Sequence, residues 1–295
     1  MVPFSLKNNL KLISFLLYLW GMNFRSFFII TTTSTLLFAC SSNKNNDEET
    51  LADSNETTQV IEQQKINAQN VFTSIPGPDE LSSLIAQTNL DYDAALLNNP
   101  ENLSKYTSDN FKAINLGLYG ADMVYTNVYE QAQESMLYLK CVNSLCRSLG
   151  ITGAFDEKTG ERLQDNKENK DSLLSIVSKS FSKADAFLRE NQRPGTSSLM
   201  VAGGWIEGLY LSGKVAEQAK TKKLIQKMSQ QKKSLSDLIT LVENSKVTGD
   251  GAFVLDGLKD LLVTYQKIAD NTTMSDEILA EINTKVFALR AKLIL

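Results

Sequence analysis

The stretch Ala202-Gly203-Gly204-Trp205-Ile206-Glu207-Gly208-Leu209-Tyr210-Leu211 decides how this chain folds. It is apolar nearly all the way round, the character of a helix enclosed by other helices rather than laid on a surface. Each glycine inside a helix costs roughly 1 kcal/mol relative to alanine, so several within two turns need a compensating gain. Close packing supplies one: Gly204 and Gly208 lie four apart on one face and let a second backbone come nearer than the usual ~8–10 Å. A second stretch, Asn115-Leu116-Gly117-Leu118-Tyr119-Gly120-Ala121-Asp122, repeats the pattern, with Ala121 four residues after Gly117. Two such stretches predict a central helix pair in which Gly117, Gly120, Gly203, Gly204 and Gly208 serve close approach.

Working outward, apolar residues recur at helical spacing almost everywhere after residue 79, and alternating β-branched runs are absent. Asp109 opens a helix through Phe111, Ile114, Leu118, Tyr125 and Val128, with a break expected near Thr126-Asn127. The next runs from Val128 to Leu149 and stops at Gly150, a residue suited to the left-handed cap. Residues 152–170 read as a loop carrying a short exposed helix over 156–163. Asn169 or Asp171 caps a helix ended by Arg193-Pro194-Gly195, and Thr196-Ser197-Ser198 caps the glycine-bearing helix that follows to Ala219. One helix is expected through Leu224, Met228, Leu235 and Val242, another through Val254 to Ile268, and a last one from Ser275 through Leu293. A short helix is also expected over Tyr92 to Leu97. Short connections imply antiparallel neighbours. The fold class is therefore all-α, an antiparallel multi-helix bundle. Gly-Leu-Tyr occurs at Gly117 and again at Gly208, so a degenerate duplication of a helical hairpin is an alternative description, although no fixed period is visible.

The same two stretches hold the candidate site. If the missing glycine side chains leave a hollow, Tyr119, Tyr125, Trp205 and Tyr210 would line it, and Asp122 and Glu207 would supply polar contacts. If those two acids meet away from water, one has a raised pKa or the two share a proton. The sequence thus offers two readings of one place, tight packing or a ligand pocket between 117–122 and 203–210. Histidine is absent, which removes Ser-His-Asp and Cys-His arrangements and the commonest transition-metal ligand. No metal-ligand spacing, phosphate-cradling loop or cofactor motif is present, so no cofactor, no metal and no catalytic residue is assigned. Cys141 and Cys146, five helical residues apart, point about 140° away from each other and read as buried thiols, not a disulfide.

The beginning of the chain carries an address. Arg25 precedes an uncharged run from Ser26 to Leu37, which has signal-sequence length and is short for a membrane span. Leu37-Phe38-Ala39-Cys40 followed by Ser41-Ser42 reads as a lipobox, with Cys40 the residue that receives the lipid. Translation is expected to begin at Met22, residues 1–21 being an upstream extension. Residues 1–39 hold Lys7, Lys11 and Arg25 and no acid, so their removal takes the net charge from −4 to −7. An acidic chain argues against a nucleic-acid partner, whose phosphates demand a basic face. Residues 40–75 have the polar composition of a disordered tether, Ile75-Pro76-Gly77-Pro78 marks a boundary, and residues 76–295 form the helical domain. The lysines between Lys214 and Lys233 read as a solvated helix face.

Ile75-Pro76-Gly77-Pro78, Leu97-Asn98-Asn99-Pro100-Glu101-Asn102 and the two glycine-bearing stretches together resemble a group of helical lipoproteins of Bacteroidota-type bacteria. The resemblance covers residues 75–219. It implies a cell with two membranes and attachment to the outer membrane, and it brings no activity. The partners expected for the chain are the membrane, through the lipid on Cys40, and an envelope protein. Asp47-Glu48-Glu49 is similar to the acidic signal for surface exposure in such bacteria but sits further from the cysteine. Asp171-Ser172-Leu173 resembles an O-glycosylation acceptor of that phylum and equally suits a helix start.

Overall fold

Ser108 begins the first long helix because its hydroxyl oxygen accepts the Phe111 N–H, satisfying one of the four amides that a helix leaves unpaired at its start. The computed structural model describes Leu84, Thr88 and residues 90–166 and 169–294, and all statements below concern these. Cys40, the signal stretch before it, the tether to residue 75 and the 76–78 boundary lie outside them. Nine α-helices and no strand occur among the described residues. They are α1 (Asp109–Val128), α2 (Ala132–Ser148), α3 (Glu157–Asp165), α4 (Lys170–Glu190), α5 (Pro194–Ala219), α6 (Lys222–Ser229), α7 (Lys232–Asn244), α8 (Phe253–Tyr265) and α9 (Asp276–Leu293). Single turns of 3₁₀ helix occupy Ala94–Leu96 and Gly249–Gly251, and a longer 3₁₀ segment spans Pro100–Lys105.

Helices α1 and α5 form the centre, packed on each other more extensively than any other pair. From Ala113 to Gly120 every residue of α1 is buried, and α5 is buried over nearly its whole length. The two run in the same direction. Asn110 and Leu199 meet at Gly251 near one end, Ile114 faces Gly203 in the middle, and Asp122 approaches Glu207 at the other end. The neighbouring pairs α1–α2, α4–α5 and α8–α9 are antiparallel, as short connections require. Helices α2 and α4 return beside α1, and α7 and α9 return beside α5, with α8 against both of the latter pair.

Local chemistry explains most boundaries. Gly150 takes the left-handed conformation that ends α2. Asn169 caps α4 through its side-chain oxygen and Ser275 caps α9 likewise. Pro194 occupies the first turn of α5, where a missing N–H does no harm, so α5 starts earlier than Leu199.

Further expectations are corrected. The segment over Tyr92 to Leu97 is one 3₁₀ turn, not an α-helix, because Asp93 caps Ala95 and the chain straightens at Leu97. The helix expected through Leu224 and Val242 is two, α6 and α7. Ser229 returns its hydroxyl to Ile225 O and accepts the Met274 N–H, which ends α6 and turns the chain. Finally, α3 is seated on the body, with Leu163 and Thr159 buried.

Candidate functional site

The glycines bring two backbones together. A Cβ built on Gly117 would lie 2.5 Å from Gly204 N and even nearer Met200 O, and one on Gly203 would lie 2.8 Å from the carbonyl carbon of Ile114. The space left by these two missing side chains is filled by the partner's main chain. No hollow separates α1 and α5 there. Gly120 instead accommodates the ring of Phe181 from α4, and a Cβ added to Gly204 would lie 3.5 Å from Gly117 O, an ordinary contact. Gly208 is half-buried and borders a shallow dent of about 20 Å³ beside Trp205, Met228 and Gln231.

The six side chains expected to line a pocket divide into three settings. Trp205 is buried and its indole N–H donates to Ser234 Oγ at 3.1 Å. Tyr125 belongs to a cluster of rings, 4.9 Å from Tyr129 and 5.7 Å from Tyr92. Tyr119, Asp122, Glu207 and Tyr210 converge on a buried polar network. The network was only half legible, since it also holds Asn98, Tyr106, Asn115 and Arg290.

At its centre Arg290 of α9 grips Glu207 of α5 with two parallel hydrogen bonds, Nε to Oε2 and Nη2 to Oε1, both 2.7 Å. Glu207 has no exposed surface and Arg290 only 6%. Nη2 also donates to Leu96 O at 2.9 Å, and the guanidinium lies 3.9 Å from the centre of the Tyr210 ring. Around this fork the loop after the 3₁₀ turn is tied down. The Asn98 N–H donates to Asp122 Oδ2 at 3.2 Å, its side-chain amide donates to Asn115 Oδ1 and Tyr106 Oη, and Tyr119 Oη donates to Asn99 O at 3.0 Å. Asn115 Nδ2 donates to Leu293 O at 2.9 Å, which satisfies a carbonyl at the end of α9 that has no partner within its own helix.

Asp122 is the chemically unusual member. Burial, then the neighbouring Glu207 carboxylate, hold its pKa well above the ordinary value of 3.8, with Arg290 opposing. Its Oδ1 has no hydrogen-bond donor among its neighbours. A retained proton resolves both facts, because a neutral Asp122 donates to Glu207 where two carboxylates would repel. Such a cluster can hold a proton and bind four chain segments together. The acids that the sequence singled out are therefore engaged with each other, with Arg290 and with main chain.

The raised pKa fixes a sign. A proton held more tightly in the folded state stabilises fully below the unfolded pKa, and that contribution shrinks as pH rises towards the folded pKa. Asp122→Asn, which keeps a donor at every pH, should match the wild type in acid and exceed it progressively as pH rises. The difference should grow by at most ~1.4 kcal/mol per pH unit in urea unfolding series. Parallel stability curves for the two proteins would show that Asp122 is ionised in the fold.

Cys141 and Cys146 are free and buried, and burial raises their thiol pKa to about 11 and about 12. They pack as small apolar groups, without thiolate reactivity at neutral pH. No cluster of three or more Cys, Asp or Glu able to hold a metal ion occurs among the described residues. Comparison with protein families, curated proteins and solved structures gives no match to this chain, so the site is defined by its own chemistry.

Proposed function

We propose that this protein is a lipid-anchored component of the cell envelope whose all-α body acts as a non-catalytic scaffold or interaction domain. The observation that carries the reading is Leu37-Phe38-Ala39-Cys40 directly after an uncharged run that follows Arg25, the pattern of a signal cleaved before a lipid-modified cysteine. The engagement of Asp122 and Glu207 in a buried network supports a structural role for two acids that the sequence placed in apolar surroundings. Attachment is to the outer membrane, through acyl chains on Cys40, and the partner is another envelope protein.

The anchor is tested by expressing the full chain and Cys40→Ala in a bacterium with two membranes. The wild type should incorporate labelled palmitate and fractionate with the outer membrane, and Cys40→Ala should lose both. Mass spectrometry of an unmodified polypeptide that keeps residues 1–39 would refute the anchor.

A further inference from the structure

Between Lys214 and Lys233 the chain carries seven lysines and one acid, Glu217, within a protein whose net charge is negative. The structure sorts these cations. Lys214, Lys232 and Lys233 pair with Glu217, Asp270 and Asp237, and Lys227 is half-buried beside Trp205. Lys220, Lys222 and Lys223 are exposed, and none of the three forms an ion pair among the described residues.

Local structure fixes where these three sit. Lys220 takes the left-handed conformation that ends α5, and Lys222 and Lys223 open α6. Because α6 buries Leu224, Ile225 and Met228 against the body, its first lysines and Gln226 face outward. Helices α1 and α5 run the same way. The first ends six residues beyond Asp122, whereas Lys220 lies thirteen beyond Glu207, the neighbour of Asp122. At about 1.5 Å per residue, the three lysines project past the end of α1. Tyr92 packs on Tyr125 and Tyr129 at that end, so at Tyr92 the chain coming from Cys40 lies at the end of the bundle that carries the three lysines.

We propose that Lys220, Lys222 and Lys223 form a docking face for the anionic phospholipid headgroups of the membrane to which Cys40 attaches the chain. The face presupposes the anchor proposed at Cys40 and adds to it the lipid class and the side that the body turns to the bilayer. Attachment holds the body beside the membrane, and at such a local concentration a weak attraction suffices to orient it. Each lysine near an anionic surface contributes about fivefold, so three favour this face roughly a hundredfold. Since the apolar side of α6 is already buried, the attraction is electrostatic, without insertion, and falls with salt. Asp276 and Glu277, which open α9 beside the end of α5, bound the face on that side.

The test adds the full chain, produced in a bacterium with two membranes, to vesicles of phosphatidylcholine or of an equimolar mixture of phosphatidylglycerol and phosphatidylcholine. Flotation with phosphatidylcholine vesicles reports the anchor by itself. Energy transfer to acceptor-labelled lipid from a fluorescent non-natural residue in place of Gln226 reports the face, and the same residue in place of Ser182, exposed on α4, is the control. Transfer from position 226 should be higher on the mixed bilayer than on phosphatidylcholine, and the difference should vanish at about 1 M salt, where the Debye length is ~3 Å. Lys220→Gln, Lys222→Gln and Lys223→Gln together, all at exposed positions, should remove the difference, and each alone should weaken the preference about fivefold. Equal transfer on both bilayers from a chain that floats with either would overturn the face and leave the anchor standing. Flotation with the mixed vesicles alone, with high transfer from position 226, would support the face and overturn the anchor. A difference that persists in the triple variant, or that appears equally from position 182, would also overturn the face.

Discussion

Arg290→Met is expected to destabilise the full chain by about 3–5 kcal/mol at neutral pH, because it leaves Glu207 buried without its partner. The magnitude follows from what the guanidinium holds. It makes two 2.7 Å bonds to Glu207 and a third to Leu96 O, all from a residue nearly withdrawn from solvent. Water cannot replace these donors without opening the contact between α5 and α9. Glu207→Gln combined with Arg290→Met should recover a large part of the loss, since neither charge then remains to be desolvated. Urea unfolding of the two single variants and the double variant closes the cycle. A cost below about 1 kcal/mol for Arg290→Met would mean that the pair is solvated and behaves like a surface ion pair.

That ion pair also shows where sequence reading stops. The central helices were legible because glycine and all-round apolarity are local properties, visible within ten residues. Arg290 is no less central, yet near the end of α9 it reads as an ordinary cation meeting the helix dipole. One local signal did exist: it stands four residues after Val286 and three before Leu293, on the edge of the apolar stripe. Its partner lies 83 residues away, and no spacing rule joins them. Asn98 and Asn115 were quoted as parts of motifs, but their amides become structural only when they meet each other and the end of α9. Asn127 was read as the edge of a break. It is instead a buried residue of a helix that continues to Val128. The division between α6 and α7 depended on Ser229 accepting an N–H from Met274, 45 residues on. Periodicity predicts faces; the identity of what covers each face is a tertiary fact.

Gly203→Ala and Gly204→Ala are expected to move stability in opposite directions, and this contrast tests the contact on which the bundle is built. Both substitutions add one methyl to the same turn of α5, so both gain the same intrinsic propensity of up to ~1 kcal/mol. Whatever separates them is packing. A methyl on Gly204 meets Gly117 O at 3.5 Å, an ordinary contact, and Gly204→Ala should be neutral or stabilising. On Gly203 it would lie 2.8 Å from the carbonyl carbon of Ile114, and a main chain held in a helix has no rotamer to change. The helices must separate, and every side chain wedged between α1 and α5 loses contact with them. Overpacking of this kind costs typically ~1–3 kcal/mol and more where the obstacle is rigid, so Gly203→Ala should lose about 3 kcal/mol net. Gly117→Ala should behave alike, since its methyl would meet Gly204 N and Met200 O. Because either methyl forces the same separation, the double variant Gly117→Ala with Gly203→Ala should cost clearly less than the sum of the two. Equal midpoints for Gly203→Ala and Gly204→Ala in urea would show that α1 and α5 do not touch backbone to backbone. Additive losses in the double variant would show that the two glycines relieve separate contacts instead of one shared crossing.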